Sequence, residues 1–264
     1  MSAIVLDSKV VKPIVMTGFK QDEQPPVIPT IEMVDLGLPS GTLWSKYDFG
    51  VDSENLSVKD DYIGGRYAWG ELHPKDTYDD DNYRFYDTQN EVYTKYTNSG
   101  DEKYKLDDAD DVVHATYGEN YYIPTALEYQ ELVREVNKGN LTKQYVTNFN
   151  GVSGLNGVKI SKSSNANVFI FLPITAPNGW AQYWADDRVG YYGKRPGVDY
   201  VAGAFEISNS PSLNVDTYER YEGYRLRAVV RNSEYDDWSW DSGSGGKSLP
   251  EDDDDDDEPV WKSL

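Results

Sequence analysis

Short apolar runs separated by Gly, Pro, Asn and Asp dominate the chain, and long stretches of helical period are scarce. Runs at residues 42–47, 66–69, 157–161, 168–172, 182–185, 201–207 and 224–230 have the β-branched and aromatic make-up of half-buried strands. One segment departs from that pattern. In "IPTALEYQELVREVNKG", Thr125 stands as an N-cap behind Pro124, and Glu128 follows three residues later as its capping-box partner. Leu127, Leu132 and Val136 approximate one face, with Tyr129 beside them, and Lys138-Gly139 ends the run, so a helix is predicted here. A second, weaker helix is predicted in "DDADDVVHATYG", its first turn loaded with Asp107 to Asp111, where the helix dipole favours anions. "GVKISKSSNANVFIFLP" reads as a hairpin turning at Ser163-Ser164-Asn165. Few helices among many separated strands predict an α+β domain. Several connections are longer than usual, residues 75–103 most clearly, and such loops are expected either to bind something or to brace the fold.

The pattern divides the chain into three parts. Residues 1–33 hold two short β-branched runs, Ile4-Val5-Leu6 and one opening at Val10-Val11, followed by Pro25, Pro26 and Pro29. Such runs cannot bury themselves alone. They are expected to pair with a partner, the alternative being an edge strand on the body, and the prolines favour a semi-rigid extended linker. Residues 34–232 form the body. Residues 233–264 form an acidic tail in which Trp238, Trp240 and Trp261 are the natural partner anchors.

Charge and composition narrow the function classes. The chain of 264 residues has 46 acids against 25 bases, a formal charge of −21, and residues 234–264 alone carry 12 acids and 2 lysines. That balance argues against nucleic acid and against docking on an anionic membrane. No apolar run approaches the roughly 20 residues of a membrane span, so no membrane insertion is expected. The first residues show no basic region followed by an apolar one, so synthesis in a cytoplasm without a signal peptide is expected. Cysteine is absent, which removes disulfides, thiol catalysis and thiolate-bound metals. The 22 tyrosines suit strand faces and contact surfaces, since each buries a ring and keeps a polar tip.

Six motifs occur in order: "VDLGLPSGTLW" from Val34, "GRYAWGE" from Gly65, "YYIPTALEYQELV" from Tyr121, "GLNGVKI" with "VFIFLP", "YWADD" from Tyr183, and "YEGYRLRAVVR" from Tyr221. Together they resemble the Fibrobacter succinogenes major paralogous domain, a family of Bacteroidetes and their phages. That family is similar to the C-type lectin-like fold and to formylglycine-generating enzymes. The resemblance covers about residues 34–232. It implies short twisted antiparallel sheets, one or two helices, long loops, and a last strand, "GYRLRAVV", beside the first. Leu36 and Leu38 are then expected in the core, Gly37 and Gly41 in the turn, Trp44 wedged under the sheet, and both tethers leaving from one end. Bacterial relatives usually carry an export signal, whereas this chain opens on the anchor-like segment. Without that signal, the resemblance implies a virion protein of a Bacteroides crAss-like or similar phage: a head fibre, capsid decoration or tail fibre component. It would be a homo-oligomer contacting capsid or other virion proteins and a host-surface glycan or protein. The rival is a bacterial surface or secreted binding module.

Candidate chemistry is thin. Formylglycine-generating enzymes act through cysteine, and the related sulfoxide synthases bind iron with three histidines, where this chain has only His73 and His114. No nucleophile elbow, P-loop or dinucleotide fingerprint occurs. A non-enzyme with no cofactor and no metal site is expected. "DTYDDDN" and "DDADD" supply oxygen ligands but lack EF-hand spacing. The binding candidate is "NGWAQYWADDRVGYYGKRPGVDY", where Trp180, Tyr191, Tyr192 and Tyr200 with Arg188 suit glycan stacking or protein contact. Tyr183 and Trp184 within it stand where the resemblance implies core.

Overall fold

The computed structural model describes residues 28–189 and 197–231. The residues expected as partner anchors, Ile4, Val5, Leu6, Val10, Val11, Trp238, Trp240 and Trp261, and the loop residues Tyr191 and Tyr192, lie outside the described residues.

The opening motif closes a four-stranded antiparallel sheet. Strands β1 (Met33–Asp35) and β2 (Leu43–Ser45) flank the Leu-Gly-Leu-Pro-Ser-Gly turn, and β5 (Tyr121–Tyr122) and β12 (Val229–Val230) complete the order β1-β2-β12-β5. Gly37 and Gly41 both take φ near +71°, a left-handed conformation that suits glycine. The alternation that results buries Leu36 and Leu38 and turns Gly37 and Pro39 outward. Trp44 is fully buried, its ring 5.2 Å from that of Tyr129. The last strand does lie beside the first motif, Val229 opposite Trp44. Because β1 and β12 are each antiparallel to β2, they are parallel to each other. The chain therefore enters and leaves this sheet travelling in the same direction, and the tethers expected to leave from one end lie outside the described residues.

The predicted long helix is α2 (Ala126–Asn137), preceded by α1 (Val112–Tyr117). Its capping box is formed: the Thr125 hydroxyl accepts from the Glu128 N–H at 3.1 Å, and Glu128 accepts from the Thr125 N–H at 2.7 Å. The buried stripe differs from the predicted one. Ala126, Tyr129 and Leu132 are buried together with Glu131 and Glu135, whereas Leu127 and Val136 are only half-buried. Glu131 is inside because it accepts both the N–H (2.9 Å) and the hydroxyl (2.6 Å) of Ser40, which ties the helix to the opening turn. Helix α1 also differs: only Asp111 caps it, accepting from the Val113 and His114 N–H groups, and the other aspartates precede it.

Two more sheets pack around these elements. Strands β6 (Leu141–Val146), β7 (Gly157–Lys162) and β8 (Asn165–Pro173) form one, with β7 and β8 turning at Ser163-Ser164 as predicted. Strands β9 (Trp180–Trp184), β10 (Val201–Ser208) and β11 (Leu213–Glu219) form the other, β10 central and buried along nearly its whole length. Phe205 of β10 stacks on Tyr129 of α2 at 4.7 Å, while Ala202 and Ala204 face a second cluster with Trp69, Tyr83, Tyr96 and Trp184. The long loop 75–103 holds a two-stranded hairpin, β3 (Tyr86–Asp87) and β4 (Val92–Tyr93), and sends Tyr83, Phe85 and Tyr96 into that cluster. Among the described residues it braces the fold. The coarse α+β expectation holds: small antiparallel sheets with two α-helices among the described residues.

Candidate functional site

The structure separates the residues that the sequence grouped. Trp180 opens β9, half-buried and opposite Ser208 at the far end of β10. Tyr200 precedes β10 at the other end and is 45% exposed. Eight strand residues at about 3.4 Å each put the two roughly 27 Å apart. Tyr183 and Trp184 are wholly buried, Trp184 donating its indole N–H to the Tyr67 carbonyl at 2.8 Å.

Arg188 is a brace. Its side chain has no exposure. It donates to the backbone carbonyls of Tyr96, Val198 and Val201 and to the Asp199 carboxylate at 3.3 Å. Arg220 joins it from the end of β11, donating to the carbonyls of Lys95 (2.9 Å) and Asp199 (2.9 Å) and to the Tyr83 hydroxyl (3.1 Å). The rings of Trp69, Tyr83, Tyr93 and Tyr96 surround its guanidinium at 4.8–5.9 Å. Planar, weakly hydrated guanidinium suits such a stacked, carbonyl-lined interior. The two arginines thus tie segments 95–96 and 198–201 together through side-chain hydrogen bonds to main-chain carbonyls.

A buried carboxylate group gathers at the start of α2. Asp187 accepts from the Ala126 N–H at 3.2 Å, and Asp111 accepts from the Ile123 N–H at 2.8 Å. Arg231 bridges Glu128 and Asp186, each at 3.0 Å. Burial pushes Asp111 up to about 6, and the neighbouring Asp186 adds to it. Burial, then Asp186, raises Asp187 well above the carboxylate range. For Glu128 burial acts the same way, but Arg231 outweighs it and holds the group low. These groups cap helices, and their environment explains their titration without a ligand.

Lysines hold both acidic loops: Lys75 braces the 76–82 loop, and Lys95 pairs with the 107–111 run. The Lys75 ammonium sits among Glu71 (3.0 Å), the Asn82 carbonyl (3.0 Å) and the Asn82 amide oxygen (2.7 Å). Lys95 bridges Asp107 at 2.6 Å and Asp110 at 2.5 Å. Among the described residues no group of three or more His, Asp or Glu is arranged to hold a metal ion. His73 is exposed, and His114 stacks on Tyr122 at 4.8 Å.

A concave feature of the described residues lies elsewhere. A cleft of about 490 Å³ opens between the Leu36-Gly37-Leu38 turn, the end of α2 and the β7–β8 turn. Leu36, Leu38 and Leu141 contribute apolar surface, while Glu135, Asn140, Lys162, Ser163 and Ser164 contribute polar groups. Sequence reasoning missed it. The available signal was the glycine pair of the opening turn, whose role in shaping a cavity appears only once the hairpin turn is set against it. Compared with family models, curated proteins and solved structures, the chain matches none.

Proposed function

We propose that the chain is a non-enzymatic virion structural protein, a head fibre, capsid decoration or tail fibre component, that displays a C-type lectin-like body for attachment to a host-surface glycan or protein. The observation that carries this reading is the antiparallel pairing of β12 with β2, Val229 opposite Trp44, which is the closure that the motif resemblance implies. Buried arginines and carboxylates that fasten loops to one another support a rigid display scaffold. The half-buried Trp180 and exposed Tyr200 offer aromatic surface at the two ends of one sheet. The N-terminal runs and the tail tryptophans act in this reading as contacts to capsid proteins and to further copies of the chain.

Mass spectrometry and immunogold labelling of purified phage particles test the assignment. The chain is expected in stoichiometric amounts on the particle, and deletion of residues 1–24 is expected to abolish incorporation while the body stays folded. Particles lacking the protein, or normal incorporation of the deletion, would overturn it. On a glycan array, Trp180→Ala or Tyr200→Ala separates attachment from decoration: loss of binding supports the former.

A further inference from the structure

The cleft beside the opening turn serves no role described so far, and its two walls carry opposite charge. On one wall Glu135 is buried, accepting from the Asn140 side-chain amide at 2.7 Å with Lys138 at 3.7 Å. On the other is the Lys162 ammonium, whose nearest carboxylate, the exposed Asp35, stands 3.8 Å away at the outer limit of an ion pair. The buried side chains of Leu36, Leu38 and Leu141 lie between. The rim is fixed in place: Ser163 donates its N–H to the Asn140 carbonyl at 3.0 Å and its hydroxyl to the Gly139 carbonyl at 2.7 Å.

Lys162 is positioned by an absence. It crosses Gly37, where a Cβ would stand 2.9 Å from Cε and 3.1 Å from Nζ. Any other residue at 37 would push the ammonium aside. The surrounding sequence is also unusual: from residue 136 to residue 185 there are four lysines and no Asp or Glu, in a chain of net charge −21. The cleft opens on the one long stretch whose own residues do not add to the protein's negative charge.

This pairing selects a ligand class. An anion entering the cleft meets Glu135, and a cation meets Lys162. A hydroxyl group donates to the one and accepts from the other, so a polyol satisfies both walls, and its C–H face lies against the leucines. The cleft volume is in the range of small-molecule sites. We propose that this cleft binds a neutral mono- or disaccharide, anchored by Glu135 and Lys162 and held at the rim by Asn140, Ser163 and Ser164. The inference stands on the cleft alone and is independent of the virion assignment.

The test is a titration of the full ¹⁵N-labelled chain with glucose, galactose, mannose, N-acetylglucosamine, lactose and cellobiose. N-acetylneuraminic acid and glucosamine serve as charged controls. At least one neutral sugar is expected to give saturable shifts at the amides of Gly37, Leu141, Ser163 and Ser164. Lys162→Met and Glu135→Gln are each expected to weaken it about tenfold, the loss of one hydrogen bond to a charged group. Val92→Ala, at an exposed residue outside the cleft, is expected to leave it unchanged. Lys162→Met, at a partly exposed side chain, keeps the test decisive should Glu135→Gln unfold. No saturable shift with any neutral sugar, tighter binding of a charged control, or unchanged affinity in Lys162→Met overturns the proposal.

Discussion

Asp48 is the most exacting test of how this body is held together. Its carboxylate is fully buried, 3.2 Å from Arg227 and 3.5 Å from Arg225, and accepts from the Gly64 N–H at 3.2 Å. Both guanidiniums reach onward, Arg227 to the carbonyls of Ser45 and Phe171 and Arg225 to the Pro173 carbonyl, so one carboxylate underpins β2, β8 and the approach to β12. Burial pushes the Asp48 pKa up while the two arginines oppose it. Asp48→Asn keeps the shape and removes the charge, leaving two cations facing each other in the interior. Removing one partner of a buried ion pair costs about 3–5 kcal/mol. For a body of this size that corresponds to a fall in Tm of about 6–20 °C. Urea unfolding followed by tryptophan fluorescence reads it directly, with the m value expected to stay constant. The double variant Asp48→Asn/Arg227→Met should recover part of the loss, because one stranded cation is gone. Stability of Asp48→Asn within about 0.5 kcal/mol of the parent would mean that the carboxyl is already uncharged in the fold, and the argument would fail.

Other consequences follow from single contacts. Asp111 has a folded pKa of about 6 against an ordinary value of 3.8, so the folded state binds its proton more tightly. Stability is therefore expected to grow as pH falls from about 6 to about 4, by up to about 3 kcal/mol, and Asp111→Asn should flatten the profile across that window in pH-dependent urea melts. Thr125→Ala breaks the capping box of α2 and should cost about 1 kcal/mol by the same assay. Gly203→Ala places a Cβ 2.2 Å from the Val189 carbonyl oxygen, a backbone atom that cannot swing away. A loss of about 3 kcal/mol is expected, and a neutral result in thermal melts would contradict the close approach of β10 to the segment at 187–189.

Local chemistry was legible in the sequence and long-range charge was not. The capping box at Thr125, the glycine turn after Asp35 and the hairpin turn at Ser163 all obey rules written within a few residues, and all three are present. Strand β11 carried an apolar–polar alternation in Leu213, Val215 and Thr217 that could have been read. Strand β6 carried no such signal, because it lies at a sheet edge with Thr142, Lys143 and Gln144 exposed. The arginines mark the limit. In "YERYEGYRLRAVVR", Arg220, Arg225 and Arg227 look like surface cations, yet each is buried against partners more than 20 residues distant in the chain. Arg188 misled in the same way: adjacent aromatics and acids suggested a ligand, whereas its partners are three main-chain carbonyls that no sequence pattern marks and the Asp199 carboxylate. The cleft went unseen for a related reason, since Gly37, Glu135 and Lys162 come from three separate elements.

A strand of only two residues, β12, has a disproportionate effect on how the protein must be made. Val229 and Val230 insert between β2 and β5, so the first sheet has an empty slot until nearly the whole body has been translated. At about 5–20 residues per second, a ribosome needs roughly 10–40 s to travel from Trp44 to Val229. During that interval the free edge of β2 with its large indole, and later that of β5, stand open to neighbouring nascent chains. Polysomes translating many copies at once would make that exposure a hazard, which favours shielding of the nascent chain during synthesis.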